Sequence, residues 1–158
     1  MSPSVRKEVV VAVSQEFAFK VFTEETTKWW PKEHHIGSSP PVREVIENTA
    51  GGAWYAISED GSRCPIGKVL VWDPPKRLVL AWQITGDWQY DESFVTEVDV
   101  QFEAIGAEQT RVKLEHRDLA KFGTHESAVR GAFESEGGWS MTLRSFGECA
   151  ERLRQLAA

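Results

Sequence analysis

Residues 66–84 read IGKVLVWDPPKRLVLAWQI, and the reading of this stretch decides the fold. Two runs rich in β-branched and aromatic residues flank a polar break containing Pro74 and Pro75, the composition of a strand, a connection and a second strand. Pro75 has no backbone N–H to donate, and Pro74, as the residue before a proline, is driven to extended torsions, so neither continues a sheet ladder. The break is a corner. Beyond it Leu78, Leu80, Trp82 and Ile84 fall at period two and share one strand face. At ~25 cal/mol per Å² of apolar surface, burying that face is favourable by several kcal/mol, so another element has to cover it.

Upstream, Val5 to Val13 reads as a first strand. Ser14 offers a side-chain oxygen to a helix starting at Gln15, with Glu16 in its first turn and Phe17, Ala18, Val21 and Phe22 on one face. A second helical turn, Thr26 to Trp30, should stop before Pro31, and Pro31 to Pro41 is a loop by composition. Strands follow over Val42–Asn48 and Ala53–Ser58, separated by Gly51-Gly52, which permits torsions closed to other residues.

Downstream, Gly86 to Ser93 is a loop that exposes Trp88 and Tyr90, and Phe94 to Glu103 alternates as a strand. The face of that strand carrying Glu97, Asp99, Gln101 and Glu103 is expected to meet water. In the strand Thr110–His116, His116 shares the inward face with Val112 and Leu114. A short helix runs from Thr124 or His125 to Glu134 and ends at Gly137-Gly138. From Trp139, apolar residues at Trp139, Leu143, Phe146, Ala150, Leu153 and Ala157 make one stripe on a long C-terminal helix, with Glu148 and Arg152 placed to pair on its polar side. Strands in hairpin succession are antiparallel, so the order predicts an α+β domain: a curved antiparallel sheet of about six or seven strands, two short helices after the first strand, and a long C-terminal helix.

The 158 residues fit one domain spanning 1–158, long enough to bury roughly two-thirds of its unfolded surface. Hydrophobic content of 41% and charged content of 27% set disorder aside. A net charge of −6, with no Lys/Arg run to follow a phosphate backbone, argues against nucleic acid as a partner. No stretch approaches the ~20 apolar residues of a membrane span. Cys64 and Cys149 are far apart and no apolar leader precedes Val9, so reduced thiols and a cytoplasmic location are expected.

The histidines give no metal spacing: His34 and His35 are adjacent in a loop, where neighbours point apart, and His116 and His125 add no motif. No metal site and no cofactor are expected. Neither Cys64 nor Cys149 has a neighbouring His or cation in sequence, and no nucleophile elbow or phosphate loop is present. His116, turned inward, is the weak catalytic candidate as an acid or base; the alternative is a buried ring bonded to backbone. Arg43 and Arg130 are positioned either to bring a charge into a cavity or to remain in water. Seven Trp against two Tyr is the unusual count. Indoles need a partner for their N–H when buried, so this number points to a lined pocket or interface, or else to core packing.

Several motifs together resemble a known family: Phe22-Thr23 with Trp29-Trp30, Gly51-Gly52, Gly67-Lys68-Val69 through Asp73-Pro74-Pro75 to Leu78 and Trp82, Leu114-Glu115-His116, and Gly138-Trp139 with Leu143. In this combination and order they resemble the activator of heat-shock protein 90 ATPase homologue-like proteins of the START-like (SRPBCC, birch-pollen-allergen-like) superfamily. The resemblance implies a helix-grip fold, with a cavity between a curved sheet and the long helix and two small helices closing one end. The order of elements together with the inward aromatics points to a non-enzymatic carrier or sensor of a small apolar ligand, with Trp29, Trp30, Trp54, Trp82, His116, Trp139 and Leu143 as candidate ligand contacts. Two alternatives stand beside it: a protein-interaction module with a chaperone partner, and a cyclase or dehydratase using His116. The oligomeric state is open, a homodimer being one arrangement.

Overall fold

The computed structural model describes residues 4–31, 34 and 39–157. Strand β1 (Val5–Val11) leads into helix α1 (Gln15–Glu24), which Ser14 caps by accepting the Phe17 N–H at 3.2 Å. Helix α2 (Thr26–Trp29) is a single turn; Trp30 is already extended, as the residue before Pro31 must be. Strands β2 (Pro41–Ile46), β3 (Ala53–Ser58), β4 (Arg63–Asp73), β5 (Arg77–Trp82), β6 (Thr96–Gly106) and β7 (Gln109–Arg117) follow without an intervening helix. An irregular 3-10 segment (Leu119–His125), α3 (Glu126–Glu134), a wide turn (Glu136–Ser140) and α4 (Met141–Ala157) complete the chain. No helix among the described residues is long and apolar enough to cross a membrane.

All seven strands form one antiparallel sheet in the order β1-β7-β6-β5-β4-β3-β2. The proline corner is as expected: Lys76 N–H bonds Asp73 C=O at 2.8 Å and the chain returns as β5. Strand β5 lies mid-sheet, with Leu80 opposite both Val69 and Val98. Gly51, at φ +85°, makes the β2–β3 connection that the glycine pair foreshadows. Helices α1, α2 and α4 cover the inner face, where Phe22 meets Phe102, Trp29 and Phe146 within 4.7–5.6 Å of its ring centre.

Three expectations need correction. Asp99 does not face open water: it is 3% exposed, held by Arg77 from β5 and by Arg117 from β7 at 2.8–3.1 Å. Burial raises the Asp99 pKa, but the bonds from both guanidiniums outweigh it and hold the carboxyl below its usual range. The C-terminal helix begins at Met141, because the wide turn carries Trp139, and its apolar stripe is buried from Leu143 to Ala150 but fades to exposed Ala157. No ion pair joins Glu148 to Arg152 among the described residues; Arg152 lies by the Cys149 thiol instead. The 3-10 segment, which begins after a left-handed Asp118 (φ 67°), had no sequence counterpart.

Candidate functional site

A cavity of about 420 Å³ opens between the β2–β5 part of the sheet and the turn joining α3 to α4. Its apolar wall is aromatic: Trp30 after α2, Trp82 at the end of β5, Phe133 on α3 and Trp139 in the wide turn. Trp30 packs edge-on to Trp139 at 5.9 Å, and Trp82 to Trp139 at 5.8 Å. The mouth is where lining residues reach solvent: Ala132, Ser135 and Gly137 on one lip, Trp88 on the other. Trp88 is 45% exposed at φ 61°, a left-handed torsion that a bulky residue rarely adopts. Gly138 lets the turn close against α3, since a Cβ there would stand 2.3 Å from Ala132 O and 2.5 Å from Phe133 O.

Of the seven predicted contacts, Trp30, Trp82 and Trp139 line the cavity. Trp29, Trp54, His116 and Leu143 are buried behind its wall, each no more than 1% exposed. Trp29 packs on Phe22 and Phe146 and donates to Val21 O at 3.1 Å, a core position. Trp54 backs Trp30 and Trp82, and its indole N–H has no partner among the described residues. Arg130 pairs with Glu126 at 2.6 Å and Arg43 is exposed, so neither stands in the cavity wall.

His116 is fully enclosed, and its proton can be assigned from its neighbours. An indole only donates, so Trp139 Nε1–H at 3.2 Å requires a bare Nδ1, and the proton sits on Nε2, which donates to Thr96 Oγ1 at 2.8 Å. Thr96 in turn donates to Trp82 O at 3.3 Å. Burial lowers the His116 pKa to about 3, so the ring is neutral. It stacks on Phe133 at 4.5 Å and lies 5.3 Å from Trp82. Trp82, Phe133 and Trp139, which it supports, are part of the cavity wall, yet the imidazole itself does not reach the space.

Among the described residues, the imidazole that lines the cavity is His34. Its Nε2 donates to Gly137 O at 2.9 Å, and its Nδ1 lies 3.3 Å from Thr142 Oγ1, tying the segment after α2 to the start of α4. The Trp30 indole donates to His34 O at 2.9 Å. His35 lies outside the described residues. Across from the aromatic wall stand Glu44, Ser58 and Cys64, with Ser39 beside them. Sequence reasoning did not single these out, although period two from Ile46 and from Trp54 puts Glu44 and Ser58 on inward faces. A register shift between Pro41 and Arg43 then turns Pro41 inward as well.

A curled antiparallel sheet gripping a long C-terminal helix, with an aromatic cavity between sheet and helices, defines the helix-grip class of the SRPBCC proteins. Residues 12–151 match the family model of Activator of Hsp90 ATPase homolog 1-like protein, and the chain belongs to that family. Among solved structures it is similar to an anthrahydroquino-gamma-pyrone synthase, Txn09, at 36% identity over 93% of this chain and 96% of that one, with TM-score 0.66. It is also similar to CalC from Micromonospora echinospora, a self-sacrificing resistance protein, at 31% identity over 96% of each chain, TM-score 0.70. The Aha1 dimer from Colwellia psychrerythraea shares the fold at 17% identity, TM-score 0.63, over 95% of this chain and 97% of that one. Among curated proteins, none matches.

Proposed function

We propose that the protein binds a small, largely apolar and flat molecule in the 420 Å³ cavity, as a carrier, sensor or sequestering protein. The observation that carries this reading is the wall itself. Three indoles and a phenyl ring converge on a space open to solvent, while their own packing partners lie behind them, the arrangement of a preformed aromatic ligand site. The similarity to a synthase whose structure was solved in complex with a small molecule supports a ligand-binding reading of this fold.

A titration with the fluorescent probe 8-anilinonaphthalene-1-sulfonate tests it. Ala56, 4% exposed on β3, lines the cavity, so Ala56→Phe puts a ring into the ligand's space without exposing the core. Wild type should bind the probe at one site, and Ala56→Phe should weaken binding by at least about tenfold while still melting cooperatively, since the lost volume is that of a ligand ring. Unchanged affinity in Ala56→Phe would mean the probe sits elsewhere and the cavity is not the site.

A cyclase-type reaction is the second reading, favoured by the synthase relative at 36% identity. Its acid or base would be His34 instead of His116, because His34 alone of the two reaches the cavity.

A further inference from the structure

We infer that the β2–β3 end of the cavity is a hydrogen-bonding subsite that selects aromatic ligands carrying a hydroxyl on their rim. This rests on the ligand-binding reading above. The aromatic wall cannot supply polar recognition, because its indole N–H groups are all committed: Trp30 to His34 O at 2.9 Å, Trp82 to Ile84 O at 3.0 Å and Trp139 to His116 Nδ1 at 3.2 Å. The opposite end is different. Ser39 Oγ lines the cavity, is shut off from bulk water and has no hydrogen-bond partner among the described residues. Buried hydroxyls are rarely left unpaired, and one at a cavity wall awaits a partner from the cavity.

Two further groups stand with it. Ser58, 3% exposed, has only the soft Cys64 thiol at 3.5 Å on its Oγ, which leaves hydroxyl capacity unused. Glu44, 8% exposed, brings a carboxylate to the same wall. The sheet register fixes their relation: Glu44 is opposite Ala56 and Ala56 opposite Cys64, a row across three strands, and Ser58 stands one inward position further along β3, opposite Pro41. A ligand hydroxyl there donates its proton to the Glu44 carboxylate and accepts from a serine hydroxyl.

Matched probes separate this from plain apolar binding: 2-naphthol and its methyl ether, 2-methoxynaphthalene, titrated by quenching of tryptophan fluorescence. On apolar transfer alone the ether binds more tightly. The subsite predicts the reverse, with wild type preferring 2-naphthol by about tenfold, the worth of one charge-assisted hydrogen bond. Glu44→Gln should shrink that preference severalfold, because the hydroxyl proton is what the ether lacks, whereas Ser39→Ala and Ser58→Ala should weaken both probes severalfold, since an ether oxygen accepts from a serine as a hydroxyl oxygen does. If Glu44→Gln does not fold, the preference in wild type and the loss of both probes in the serine variants carry the test. Equal affinities in wild type, a preference that survives Glu44→Gln, or serine variants that bind both probes as wild type does would overturn the subsite and leave the cavity reading intact. Failure of both probes to bind wild type would overturn the cavity reading and the subsite together.

Discussion

His116 works through its ring nitrogens, one receiving the Trp139 indole and the other reaching Thr96 and thence Trp82, so a single neutral imidazole fixes two walls of the cavity. Its pKa of about 3 has a thermodynamic consequence. Above about pH 6.5 the ring is neutral both folded and unfolded and contributes no pH dependence. Below that, the unfolded chain takes up a proton that the fold refuses, so stability declines as pH falls, by about 2 kcal/mol at pH 5, until the folded value is reached. Replacing the ring by His116→Gln should flatten that part of the stability curve, measured by thermal melts from pH 7 to pH 5. Parallel declines in both proteins would show the ring to be open to water. The inward direction of His116 was legible from the alternation Val112, Leu114, His116. Its enclosure was not, since Phe133 and Trp139, which cover it, arrive from elements distant in sequence.

Among the elements, the turn between α3 and α4 decides the shape of the site. Gly137 and Gly138 are adjacent but not equivalent: nothing lies within 4 Å of a Cβ at Gly137, whereas one at Gly138 meets backbone oxygens that cannot swing aside. Gly138→Ala should therefore cost about 1–3 kcal/mol in urea unfolding and displace Trp139 from the cavity wall, while Gly137→Ala should be nearly silent. Equal effects at the two positions would place the constraint elsewhere. Elements with a repeating pattern were readable, as the β5 face at period two and the α4 stripe show, because periodicity is local. The polar end of the site was harder to read. It depends on cross-strand register among β2, β3 and β4 and on a register shift at Pro41, and Asp99 likewise owes its burial to arginines on two other strands.

At the scale of the molecule, the sheet does not close on itself. Strands β1 and β2 are its two ends; α4 packs on β1 and α2 on β2, and no backbone ladder joins them. Inner strands β5, β6 and β7 are paired on both sides, so their amides should exchange with deuterium most slowly, and those of β2 and α2 much sooner. Uniform protection across the sheet would contradict this. The open sheet also bears on how a guest enters. The cavity lies at the β2 end, walled there by Pro41 and Glu44 and lidded by side chains and turns, so that end can breathe while the backbone hydrogen bonds of the central strands stay intact. A saturating guest should therefore slow deuterium uptake first along β2 and the α3–α4 turn, a seam that ligand draws shut like a clasp while the rest of the sheet keeps its rhythm.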